Sequence, residues 1–163
     1  MAAIFQRTFG LAAQMAILLV ATIAGALSMR ALETSPLAWN YPWSNHVENA
    51  AREKGLRTIT TDEAHAIATS FSHILLDARK PVDFAAGHLP GALSLPLLEF
   101  DATFPEIAPL LTPEQPIVVY CSGEDCDESL KLGEILVKAG YTNVSIFTGG
   151  MIAWQAAGYE VQR

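Results

Sequence analysis

The sequence predicts an α/β domain built on a parallel sheet and preceded by one transmembrane helix. Three observations carry that reading. No charged residue occurs between Thr8 and Met29, and Arg7 and Arg30 bracket the run. Beyond Leu56, short segments rich in Val, Ile and Leu alternate with segments of helical spacing, as strands alternate with crossover helices in a parallel sheet. Finally, Ile117-Val118-Val119-Tyr120 reads as a buried strand and delivers Cys121 at its carboxyl end, where an open α/β sheet places its chemistry.

A chain of 163 residues holds one domain of ordinary size and an appendage. Its apolar content of 51% and mean hydropathy of +0.27 are high for a soluble protein, and the excess lies at the start. About 20 apolar residues cross the hydrocarbon core as a helix, so residues 8–29 are expected to be a membrane anchor. A cleaved signal peptide is the competing reading, with Arg7 as its charged region and Ala24-Gly25-Ala26 as its cleavage site. Against it, the run exceeds the roughly 7 to 15 residues of a signal's apolar region and continues through Leu27 to Met29. Arg7 and the amino terminus outweigh Arg30, which sits close to Glu33. That balance favours a single-pass membrane protein with its amino terminus inside and its domain extracytoplasmic.

Residues 30–56 read as a juxtamembrane connector. Trp39, Tyr41, Pro42 and Trp43 have the character of rings at a membrane interface, and packing on the following domain explains them equally well. Ser44 is expected to cap a short helix running to Lys54 and ended by Gly55.

The domain proper is expected over residues 57–163. Thr60-Thr61-Asp62-Glu63 fits a capping box that opens a helix to about Ser70. Ile74-Leu75-Leu76 is a buried strand ending at Asp77, Pro81 to Ala86 a short helix, and Ala92 to Leu95 another strand. Leu97 to Leu111 is expected as helical pieces interrupted by Pro105 and Pro109. After the strand to Tyr120 comes a polar loop, then Leu130, Leu132, Ile135, Leu136 and Ala139 at helical spacing, closed by Gly140. Val144 to Phe147 is the next strand. Gly149-Gly150 is a turn, and Met151 to Ala157 a last helix carrying Trp154.

Cys121 thus lies where a strand, a tight loop and a helix start follow one another. Loop amides and the helix dipole stabilise a thiolate or persulfide in such a place. A small buried hydrophobe at a strand end fits the local pattern equally well.

Four motifs decide between these readings. Asp77-Ala78-Arg79, then Gly87-His88-Leu89-Pro90-Gly91-Ala92, then the strand into Cys121, then Gly149-Gly150-Met151 with Trp154, resemble in order the motifs of the rhodanese family. The resemblance covers most of residues 57–163 and implies a rhodanese-like parallel sheet flanked by short helices. It also implies a sulfurtransferase whose catalytic Cys121 takes a sulfane sulfur, holds it as a persulfide and passes it to an acceptor. The chemistry needs an exposed, positioned thiolate and no metal. Asp77, Arg79 and His88 are read as shaping the site.

The chain departs from that family in its active-site loop, Ser122, Gly123, Glu124, Asp125, Asp127, Glu128 and Ser129 with Cys126 among them. The loop is about two residues longer than usual and acidic, with no Lys or Arg before Lys131. From Leu56 onward six Lys and Arg face fourteen carboxylates, a formal charge of minus eight. Carboxylates near a thiol disfavour its thiolate and repel thiosulfate, so thiosulfate is expected to be a poor donor. Cys126 makes the only cysteine pair in the sequence. It reaches disulfide distance if the loop folds back, and as a resolving thiol it would displace sulfide from a persulfide on Cys121.

Other classes fall away. Two thiols without convergent histidines fall short of a four-ligand zinc site, so neither metal nor cofactor is expected. A phosphatase on this fold needs an Arg closing the loop to grip a phosphate, and Asp127 stands there. So acidic a domain is no partner for nucleic acid. The expected partners are a sulfane-sulfur donor and a thiol acceptor, protein-borne, and the membrane. A binding or thiol-redox module that keeps the scaffold without turnover is the alternative.

Overall fold

The computed structural model describes residues 13–24 and 46–163, apart from Glu124. Residues 13–24 form helix α1, with Met15, Ile17, Leu18, Leu19, Val20 and Ile23 exposed. Among the described residues no helix is long and apolar enough to cross a membrane. The rest of the expected span 8–29, the aromatic group Trp39 to Trp43, and Ser44 lie outside the described residues.

The described residues 46–163 belong to one compact unit. Its centre is a five-stranded parallel sheet of β1 (Arg57–Ile59), β2 (Ile74–Asp77), β3 (Leu93–Ser94), β4 (Ile117–Tyr120) and β5 (Val144–Phe147), in the order β1-β5-β4-β2-β3. All four residues of β4 and of β5 are buried, because both faces of the sheet are covered and no polar alternation is needed. Ile117 and Val119 point into one layer with Leu132, Leu136, Val47 and Ala51. Val118 and Tyr120 point into the other with Ala64, Ala68, Met151 and Trp154. Each fully buried apolar side chain of this kind contributes roughly 1.5–3 kcal/mol.

Helix α2 (His46–Glu53) falls within the stretch expected as a connector. It places Val47 and Ala51, one turn apart, in the core, and Lys54 just beyond it pairs with Glu134 at 2.6 Å. β1 was not expected: with Arg57 exposed and only Ile59 buried, three residues carry too little alternation to read as a strand. Helix α3 (Thr61–Ser70) opens with the expected capping box. Helix α4 (Pro81–Ala86) has Pro at its first position, where a missing N–H costs nothing.

Two 3-10 turns, Leu97–Glu99 and Ala108–Leu110, flank helix α5 (Phe100–Ile107). The expectation that Pro105 interrupts the helix is corrected: Pro105 lies inside α5. It forgoes one hydrogen bond, and the helix is held by Phe104, whose ring stacks on Phe100 at 4.7 Å and meets Tyr141 edge-on. Helix α6 (Glu128–Lys138) and helix α7 (Gly150–Ala156) complete the unit. Gly140, at φ 101°, terminates the first of these as expected.

The register sets the site. Asp77 lies opposite Tyr120, and Tyr120 opposite Phe147. The carboxyl ends of β2, β4 and β5 therefore finish level, and the segments that follow them converge at one edge of the sheet.

Candidate active site

Cys121 leaves β4 buried at 3% exposure, while Ser122 beside it is exposed. The loop then folds back. The Cys126 N–H donates to the Gly123 carbonyl at 3.0 Å, closing a turn that brings Cys126 to Cys121. The two are joined by a disulfide with their Cα atoms 6.1 Å apart, within the usual span of such a bond.

The loop is fastened from α7. The Met151 N–H donates to the Cys121 carbonyl at 2.9 Å and the Ile152 N–H to the Ser122 carbonyl at 2.8 Å. These are first-turn amides that a helix leaves unpaired. Such an approach requires Gly150: its φ is 55°, and a Cβ there would run into the Cys121 carbonyl oxygen and come within 2.8 Å of the Gly123 nitrogen. The Gly-Gly signal in the sequence is therefore one of clearance as much as of turning.

Glu128 and Ser129, expected in the loop, are the first two residues of α6. The correction follows from the pattern used: apolar spacing begins only at Leu130, whereas a helix's first turn is often polar. Glu128 is half-buried, and its Oε2 lies 2.7 Å from Cys126 Sγ and 3.7 Å from Cys121 Sγ. Ser129 is buried, its hydroxyl directed at the Cys126 carbonyl 3.5 Å away. Asp127 approaches Lys131 at 3.9 Å, and Asp125 is exposed. Glu124 is outside the described residues. The acidic loop is thus divided: one carboxylate touches the sulfurs and another faces solvent.

The opposite wall comes from β2 and α4. Asp77, fully buried, accepts from Arg79 Nε at 3.0 Å and Nη2 at 2.6 Å, and also from the Arg79 backbone N–H. Arg79 Nη2 donates onward to the Gly87 carbonyl at 2.7 Å, and its guanidinium sits over the Tyr120 ring, 5.9 Å from the centroid. Burial opposes the Arg79 charge, but the hydrogen bonds and charge of Asp77 outweigh it and hold the guanidinium above its ordinary pKa. Burial, and then the Asp77 charge, push the Tyr120 phenol well above its ordinary range. That phenol stays neutral and accepts the Leu89 N–H at 3.1 Å. Sequence reasoning passed over Tyr120 as a site-shaping residue; its place as the last residue of the strand that delivers Cys121 was the available signal.

His88 is buried and away from the sulfurs. Its Nδ1 donates to the Phe84 carbonyl at 3.0 Å, its ring stacks on Phe84 at 3.8 Å, and its backbone pairs with Gln162. It ties the carboxyl terminus to the turn after α4.

Between these walls lies a pocket of about 560 Å³ with the disulfide, Ser122 and Glu128 on one side and Arg79 and Lys80 on the other. Val82 and Leu98 also line it and are 70% and 79% exposed. One ligand atom each from Cys121, Cys126 and Glu128 lies within 4.8 Å of the others. With both sulfurs in a disulfide this set supplies no thiolate, and even when reduced it is one donor short of a closed zinc site. What the arrangement supplies is a reversible sulfur–sulfur bond at the floor of an open pocket.

Residues 60–157 match the family model of the rhodanese-like domain. A sulfurtransferase of Allochromatium vinosum is 33% identical over 89 residues, covering 54% of this chain and 77% of that protein. An HTH-type transcriptional regulator of Mycobacterium tuberculosis is 34% identical over 87 residues, covering 53% of this chain and only 36% of the regulator. Among solved structures, a thiosulfate sulfurtransferase from Pseudomonas aeruginosa superposes with a TM-score of 0.58 at 23% identity, covering 75% of this chain and 23% of that one. The human single-domain sulfurtransferase gives 0.53 at 23%, covering 61% and 95%; at these identities the likeness is one of fold. The sheet order, the cysteine at the end of β4 and the family match over 60–157 together place this chain in the rhodanese-like family.

Proposed function

We propose that the protein is a membrane-anchored sulfurtransferase in which Cys121 takes up a sulfane sulfur as a persulfide and Cys126 resolves it. The observation that carries this reading is the Cys121–Cys126 disulfide at the floor of the pocket. A neighbouring thiol attacks a bound persulfide faster than any diffusing thiol, because its effective concentration is high. The cycle is then loading of Cys121, release of sulfide as the disulfide closes, and reopening by an external dithiol. The sulfur donor and the dithiol that reopens the disulfide, which is the thiol partner of this cycle, are protein-borne, and the exposed Val82 and Leu98 at the pocket give them an apolar footing. The anchor is supported by the uncharged run over residues 8–29 and the exposed apolar side chains of α1, with the domain on the extracytoplasmic side.

The test is intact-mass analysis of the full chain, reduced in detergent and then given inorganic polysulfide. A one-sulfur adduct is expected, absent in Cys121→Ser and accumulating in Cys126→Ser. No adduct, with both thiols inert to alkylation, would leave a binding module. The same spectrum reads the anchor, since a mature chain lacking residues 8–29 would refute it.

A further inference from the structure

We propose that Glu128 is the proton carrier of the sulfur exchange. The proposal rests on the persulfide reading above and assigns it a further catalytic residue.

The argument starts from position. Glu128 is the first residue of α6, half-buried, and its Oε2 lies within 2.7 Å of Cys126 Sγ and 3.7 Å of Cys121 Sγ. The same oxygen therefore faces both sulfurs of the exchange. A disulfide has no proton to give a carboxylate, so the contact becomes a hydrogen bond only when a proton is present on Cys126 or on Glu128. Resolution needs such a proton to move. A thiol attacks only as its thiolate, and the departing sulfur needs a proton to leave as hydrosulfide.

The step balances through Glu128. Oε2 takes the proton from Cys126 Sγ, and the thiolate attacks Cys121 Sγ to form the disulfide. The bond from Cys121 Sγ to the outer sulfur breaks, and its electron pair leaves with that sulfur. Oε2 then passes the proton on, and hydrosulfide departs. The sulfane sulfur gains two electrons while the two cysteines share a new bond, so no external oxidant enters. In the return step an external dithiol supplies the electrons and both protons. Its first thiolate attacks Cys121 Sγ, and Glu128 takes the proton of that attacking thiol and passes it to Cys126 as the Cys126 sulfur leaves. The second thiol then expels Cys121 Sγ, which takes the remaining proton as the dithiol closes to its own disulfide.

Arg79, Lys80, Asp83 and Glu99 line the same pocket as Glu128 from the β2, α4 and 3-10 side, with Arg79 committed to Asp77. On Glu128's own element stand Asp127 and Lys131. The carboxylate oxygen in contact with both sulfurs is Glu128 Oε2.

The experiment follows the Cys121 adduct by quenched intact mass in the full chain after a pulse of inorganic polysulfide, for the native protein, Glu128→Gln, Glu128→Asp and Cys126→Ser. With an internal proton acceptor, adduct decay in the native protein should be nearly flat between about pH 6 and 8. In Glu128→Gln it should be slower by about 100-fold near the acid end and rise about tenfold per pH unit, since solvent must then take the proton. Glu128→Asp should recover part of the rate. Equal decay and equal pH profiles in Glu128→Gln and native protein overturn the proposal while leaving the persulfide reading intact. If the native protein forms no adduct, or the variant does not load, the rate at which dithiothreitol opens the Cys121–Cys126 disulfide is read instead. Slower opening by Glu128→Gln with the same change of pH profile supports the assignment, and identical opening overturns it.

Discussion

Arg79 and Asp77, two residues apart at the end of β2, meet in a two-pronged ion pair, Nη2 2.6 Å from Oδ2 and Nε 3.0 Å from Oδ1, with the carboxylate fully buried. Removing one partner leaves the other charge buried and alone, which costs about 3–5 kcal/mol. Asp77→Asn should therefore lower the urea midpoint by the equivalent of that range. Arg79→Lys should recover little, since an ammonium lacks the fork that spans both oxygens and reaches Gly87. A midpoint within 1 M of native for Asp77→Asn, at roughly 1–3 kcal/mol per molar urea, would show that the pair does not hold this wall.

The pair also shows how far the sequence could be read. Asp77 and Arg79 were recognised from a motif and a strand end, because both signals are local. The parallel sheet, the capping box at Thr60 and the strand into Cys121 were legible for the same reason. β1 was not, since its pairing with β5 is long-range and only Ile59 of its three residues is buried. Pro105 was misread because packing of Phe104 overrides a local breaker. Glu128 was counted with the loop carboxylates and judged by its charge alone. Its contact with both sulfurs depends on where α6 begins, which apolar spacing does not reveal.

Gly150→Ala tests whether α7 holds the cysteine loop. The added methyl meets backbone atoms of Cys121 and Gly123 and not a yielding side chain, at a φ of 55° that disfavours a side chain. The Cys121 segment must then move, and the Met151 and Ile152 hydrogen bonds stretch. Hydrogen exchange at those two amides should rise by at least tenfold, and adduct formation on Cys121 should fall. Native exchange rates in the variant would mean that the loop is positioned from elsewhere.

Thr60 and Glu63 make a reciprocal cap at the start of α3: the Thr60 N–H donates to Glu63 Oε2 at 2.8 Å and the Glu63 N–H to Thr60 Oγ1 at 3.3 Å. Thr60→Ala should cost about 1 kcal/mol of stability. The Thr60 backbone and side-chain bonds lower the Glu63 pKa from 4.5. A depressed carboxyl contributes stability above its unfolded pKa and loses it as pH falls through the folded one. The gap between Thr60→Ala and native protein should therefore narrow as pH falls below 4.5, because the Thr60 hydroxyl bond to Glu63 Oε2 is lost, while the part due to the Glu63 N–H bond to Thr60 Oγ1 remains. A gap that stays constant down to acid unfolding would exclude the bond between the Thr60 hydroxyl and the carboxylate.

Thiosulfate discriminates between a general sulfurtransferase and one tuned to other donors. It is a dianion, and the sequence sets Glu124 and Asp125 between the two cysteines of the loop, with Asp125 exposed. Lys80 lines the pocket, but Arg79 is already committed to Asp77. Like charges repel the donor on approach and in the pocket, and the repulsion acts through solvent, so it is screened over a Debye length of about 8 Å at physiological salt. Turnover of thiosulfate by the native domain should accordingly be slow, and Glu124→Gln with Asp125→Asn should raise it several-fold at low ionic strength. The gain should shrink as salt is added, because salt removes the same repulsion from the native protein. Polysulfide loading, tested beside it with a neutral organic trisulfide as control, should follow donor charge: little change for the neutral donor, more for the anion. Brisk native turnover of thiosulfate, or a gain that survives high salt, would mean that the acidic loop does not select the donor by charge.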